Sequence, residues 1–94
     1  MAGAQGTAVV DFGVANDTAS VVITGLTGFL NTQSVEAWIF PKATTNNTED
    51  DHWVTPFSIT VPYSKMISGA GFTIVVKCHQ GLAHGQFNVN WVYN

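Results

Sequence analysis

The chain contains no Arg, one Cys (Cys78), three Pro and only three Lys (Lys42, Lys65, Lys77). Each shortage excludes something. Three scattered Lys and no Arg cannot neutralise a phosphate backbone, so no nucleic-acid partner is expected. A single thiol excludes an internal disulfide framework and every Cys-rich zinc module. Charged residues are 10% of the chain, against about 25% in typical globular domains. No apolar run approaches the roughly 18 residues that suggest a membrane span, so no membrane partner is expected. The opening Met1-Ala2-Gly3-Ala4-Gln5-Gly6 carries neither a basic nor an apolar stretch, and no secretory leader is expected there.

What is present points to a folded domain. The 94 residues are 46% hydrophobic, including three Trp, two Tyr and six Phe. That content excludes intrinsic disorder, which needs low hydrophobicity and high charge. The length suits a single domain with a small core. A formal charge of −3 gives little like-charge repulsion between copies, so self-association is a plausible supplement to that core.

The patterning is β throughout. Val, Ile, Thr, Phe and Trp fit a pleated, half-buried surface, and no helical periodicity is sustained beyond 10 residues or so. Six strands are predicted. Ala8 to Phe12 places Ala8, Val10 and Phe12 on one face, and Ala19 to Thr24 does the same with Ala19, Val21 and Ile23. Val35 to Phe40 is apolar on both faces, which predicts a strand covered on both sides, with Trp38 in the core. Phe57 to Val61 is bracketed by Pro56 and Pro62 and is predicted at a sheet edge, because Pro cannot donate to a ladder. Phe72 to Cys78 turns Phe72, Ile74, Val76 and Cys78 inward; Phe87 to Tyr93 turns Phe87, Val89, Trp91 and Tyr93 inward. Turn-rich breaks separate the strands, Lys42 to Asp51 reads as a polar loop, and Tyr63 to Ser68 has room for one helical turn. The expectation is an all-β antiparallel sandwich or jelly-roll-like barrel of six to eight strands, residues 8–94, preceded by a flexible arm at 1–7.

Four constellations bear on chemistry. Cys78 and His79 are neighbours on a strand and point to opposite faces, so the thiol reads as a small buried hydrophobe. His79, His84 and the run Glu49-Asp50-Asp51-His52 offer metal ligands, but their spacing matches no metal motif and no EF-hand pattern. Glu36 and Asp11 are the acids placed in or near strands, and a domain this small has little room for a glycosidase cleft. No nucleophile elbow or phosphate loop occurs. Asn16-Asp17-Thr18 and Asn46-Asn47-Thr48 fit the glycosylation pattern, read here as chance matches in an Asn- and Thr-rich chain. No cofactor, metal or catalytic residue is predicted. The aromatics are the remaining signal. Trp53 directly follows the acidic run, where it can anchor the loop or a partner subunit. Trp53, Asp50, Asp51, His52, Pro56 and Tyr63 are the candidate partner-contact residues. Aromatics also stack on sugars, which keeps a carbohydrate- or receptor-binding module open.

The order of short motifs carries a resemblance. Val22-Ile23-Thr24-Gly25-Leu26-Thr27-Gly28 leads to Glu36-Ala37-Trp38, then Asp50-Asp51-His52, then Gly69-Ala70-Gly71-Phe72-Thr73-Ile74, and closes with Asn88-Val89-Asn90-Trp91. This order resembles small β-rich virion structural proteins of tailed bacteriophages, with a departure at the middle acid, Asp51. The resemblance covers nearly the whole chain and brings no catalytic motif. It implies a virion location, after synthesis in the host cytoplasm. The implied role is a capsid decoration or cement protein, or alternatively a tail, neck or fibre component. The partners it implies are the major capsid protein or other virion subunits and further copies of the chain.

Overall fold

The computed structural model describes residues 3–94. Six strands form: β1 (Ala4–Asp11), β2 (Thr18–Ile23), β3 (Val35–Ile39), β4 (Phe57–Thr60), β5 (Phe72–Cys78) and β6 (Gln86–Tyr93). They make two three-stranded antiparallel sheets, ordered β1-β6-β3 and β2-β5-β4. The chain changes sheet at nearly every connection, and the last two strands become the centres. Among the described residues the sheets stack as an open sandwich and do not close into a barrel, so each has two free edges.

The alternation of apolar residues decides which face goes inward. In β5 the burial runs strictly by twos, with Phe72, Ile74, Val76 and Cys78 inside, and in β6 Phe87, Val89, Trp91 and Tyr93 do the same. Rings cluster at the two ends of the core. At one end Phe12, Phe57 and Phe87 meet: Phe12 and Phe57 stack at 5.6 Å, and Phe57 meets Phe87 edge-on at 4.8 Å. At the other end Phe29, from the β2–β3 connection, packs on Phe72 at 5.5 Å and on Tyr93 at 5.0 Å. Val10, Ile74, Val76 and Val89 fill the middle. Offset and edge-to-face pairs suit aromatic quadrupoles, so each contact adds to plain area burial.

Three expectations are corrected. Ala4 to Thr7 are not an arm: they pair with Asn90 to Tyr93 as the first half of β1, while Met1 and Ala2 lie outside the described residues. Gln5 and Thr7 hid this half-strand, because polar outward residues alternate there with Ala4 and Gly6, too small to read as core. Trp38 is not in the core. Strand β3 is an edge strand, and the Trp38 indole is 45% exposed on its outer face. Finally, the polar loop ends in a short helix, α1 (Glu49–Val54). The edge position of β4 and the helical turn at Tyr63–Lys65 are as expected.

Helix α1 has clear local causes. Thr48 caps it, accepting from the Asp51 N–H through Oγ1 at 3.2 Å, while the Asp51 carboxylate accepts the Thr48 N–H at 3.0 Å. Glu49, Asp50 and Asp51 complement the positive end of the helix dipole. Pro56 stops the helix by holding Thr55 extended. Thr48→Ala is expected to cost about 1 kcal/mol of unfolding free energy, measured by urea denaturation.

Candidate functional site

The end of the sandwich at the start of β6 gathers three connections: β1–β2, the long β3–β4 segment with α1, and β5–β6. Backbone pairs knit the first to the third. Phe12 N donates to Gly85 O at 2.9 Å, Asn16 and Ala83 exchange bonds at 3.0 and 2.9 Å, and Gly85 N donates to Gly13 O at 2.9 Å.

The long segment is held by side chains instead of a ladder. Strand β3 leaves the sheet after Phe40 N donates to Asn88 O at 3.0 Å, because Pro41 follows. From there the Thr/Asn cluster runs along the upper end of β6. Asn88 Nδ2 donates to Lys42 O at 2.7 Å and Thr44 Oγ1 to Gln86 O at 2.8 Å. The buried Asn47 Nδ2 donates to both His84 O and Gln86 O, at 2.8 and 2.9 Å. The open edge of β6 is thus satisfied by amides and hydroxyls.

His52 completes this arrangement and corrects its assignment as a contact residue. It is 1% exposed, its ring 5.0 Å from that of Phe87. Nε2 accepts the Asn88 N–H at 3.1 Å, the group β3 left behind. Nδ1 lies 2.8 Å from Thr48 O, so it carries the proton and donates. His52 therefore locks α1 to β6. Its neighbour Trp53 is turned outward, 64% exposed.

Of the other candidates, Asp50, Asp51 and Pro56 share this end with Trp53. Tyr63 does not: it lies beyond the opposite end of β4. Sequence reasoning missed Val14, Val54 and Leu82, which belong to the same three connections and stand exposed with Trp53. The signal was present for Leu82 and Val14, as lone large apolar residues in turn-rich breaks, while Val54 was hidden beside Trp53. Between α1 and the β5–β6 connection lies a cavity of about 250 Å³, lined by Val54, Pro56, Leu82, Ala83, His84 and neighbours.

The chemical constellations stay apart. Cys78 is buried, while His79 faces out and bonds through Nε2 to the Ser58 hydroxyl. That Ser–His pair has no carboxylate among its hydrogen-bond partners in the described residues. Lys77 pairs with Asp17 at 3.9 Å, both exposed. Glu36 and Asp11 lie opposite Val92 and Gln86, about 20 Å apart along β6, too far to flank one bond. Among the described residues no three of His, Cys, Asp and Glu converge to hold a metal ion. Comparison with protein-family models, with curated proteins and with solved structures finds no match.

Proposed function

We propose that the chain is a non-enzymatic virion structural protein of a tailed bacteriophage, a capsid decoration or cement protein that binds the shell as a homo-oligomer. The observation that carries the reading is the loop end. Val14, Trp53, Val54 and Leu82 stand there between 61% and 93% exposed, on connections held by the Asn16–Ala83 backbone pair and by the bonds of Asn47 and His52. Exposed large apolar residues brought together on a rigid base mark an interaction surface. Asp50 and Asp51, in the first turn of α1, make this end acidic, which suits a partner surface carrying Lys or Arg. Each such contact is weak, and repetition on a symmetric lattice multiplies it. The motif order resembling virion proteins supports the same role.

The test is copy number in purified particles, by quantitative mass spectrometry against the major capsid protein. Hundreds of copies fit decoration of the shell. A few to a few dozen would move the protein to the tail, neck or fibres, and absence would overturn the virion reading. Trp53→Ala combined with Leu82→Ser is expected to cut particle occupancy about tenfold or more, with the Tm of the free protein nearly unchanged, because neither side chain is part of the core.

A further inference from the structure

The outer face of the β1-β6-β3 sheet has a different character from the loop end. Alternation places Gln5, Thr7 and Val9 of β1, Asn88, Asn90 and Val92 of β6, and Glu36 and Trp38 of β3 on this face. In register, Asn90 sits between Thr7 on one side and Trp38 on the other. A cavity of about 280 Å³ opens there, lined by Gln5, Gly6, Thr7, Trp38, Asn90 and Trp91. We infer that this face is a binding site for a neutral saccharide, with Trp38 as the stacking surface and Asn90, Thr7 and Gln5 as the groups that take its hydroxyls.

The side-chain chemistry selects the ligand class. Trp38 is half-exposed on the outer face of the sheet, so an amphipathic ring is presented to solvent there. A pyranose has a C–H face that packs on such a ring and a rim of hydroxyls that both donate and accept. Thr7 Oγ1 donates to Asn90 Oδ1 at 2.9 Å, which fixes the amide oxygen and leaves Nδ2 with no protein acceptor among the described residues. Gln5 adds a donor and an acceptor, and Trp38 Nε1 a further donor.

Other classes fit worse. No Lys lies in β1, β3 or β6, while Glu36 and Asp11 do, so phosphates, nucleic acids and acidic glycans meet repulsion. An apolar ligand would bury the Asn90 and Gln5 amides unpaired. The cavity lies near the lower limit of ligand sites, about 300 Å³, which suits one or two sugar units. A ligand of that size bound by a shallow polar site has a Kd in about the millimolar range for a single unit. The inference stands apart from the virion reading, since it uses the sheet face and none of the loop-end residues.

The experiment is native gel electrophoresis in gels containing a soluble neutral glucan, galactan or mannan, followed by an array of neutral oligosaccharides. Retardation by at least one polysaccharide is expected. Trp38→Ala and Asn90→Ala are each expected to weaken it about tenfold or more, Trp38→Phe to keep part of it, and Trp53→Ala to leave it unchanged. Variant Tm values within a few degrees of the parent exclude unfolding as the cause. Absence of retardation and of array binding overturns the proposal. So does binding that survives Trp38→Ala and Asn90→Ala, or binding confined to anionic glycans. A dimer in sedimentation that Trp38→Ala dissolves would make this face a subunit contact and overturn it equally.

Discussion

His52→Ala is expected to lower the unfolding free energy by about 3–5 kcal/mol, among the largest effects available in this chain. The side chain is 1% exposed and does three things at once. It packs on Phe87, it accepts the Asn88 N–H, and it donates to Thr48 O. Truncation opens a cavity beside the Phe12, Phe57 and Phe87 cluster and leaves one buried backbone donor without its partner. Each buried polar group left unpaired costs about 1–3 kcal/mol, and the lost packing accounts for the rest. For a domain near 100 residues the Tm should fall by roughly 15–25 °C. Two variants separate the parts. His52→Phe keeps a ring against Phe87 and loses both hydrogen bonds, so it should cost about 2–3 kcal/mol. His52→Gln offers an oxygen to the Asn88 N–H and should recover part of that loss. Amide hydrogen exchange at Asn88 reads the same event locally: it should accelerate in the Ala and Phe variants and stay nearer the parent in Gln. A His52→Ala protein as stable as the parent would mean that α1 is not held through this residue. Because Trp53 is carried on the same short helix, particle occupancy should fall with His52→Ala even at temperatures where the core stays folded.

Gly85→Ala is expected to cost about 3 kcal/mol or more, from two independent causes. Its φ is +71°, where a Cβ costs about 1–2 kcal/mol. That Cβ would also collide with the Asn46 side chain, which forces the Thr/Asn segment off β6. The Asn46 Oδ1 bond to the Gln86 N–H at 3.2 Å goes with it. Gly25 supplies the control. Its φ is +79°, and a methyl group placed there would meet nothing within 4 Å, so Gly25→Ala should cost only about 1–2 kcal/mol. Urea titrations of the two variants measure the difference, which is the steric part. Adding Asn46→Gly to Gly85→Ala should recover some of it, and the double-mutant cycle should be non-additive, since the two residues touch. Equal costs at Gly85 and Gly25 would show that the segment yields freely and is not pinned to β6.

The faces of β5 and β6 were legible residue by residue, because period-two alternation of large apolar side chains has one burial solution in a two-layer sandwich. The edge position of β4 was legible from Pro56 and Pro62. Helix α1 was legible only in its ends, Thr48 with its three acids and Pro56 beyond, since six residues are too few for periodicity to register. His52 shows why the candidate contacts could be read only in part. An acidic run followed by His and Trp looks like a solvated surface throughout, yet neighbouring residues on a helix point in different directions. One therefore went to the core and the next to solvent.

Fold class, strand faces and the poverty of charge follow from the residues alone, because alternation, β-branching and composition act locally and need no partner. Which strands besides β4 became edges was settled only by long-range pairing, and that assignment set the rest. Strand β3 at an edge put Trp38 outside beside Asn90 and Thr7. Its early departure at Pro41 left the Asn88 N–H for His52 to satisfy. Three connections distant in sequence met at one end because successive strands run in alternating directions across the two antiparallel sheets. Strand order arises from pairings between residues far apart in the chain, and no local pattern encodes which of several similar strands will pair.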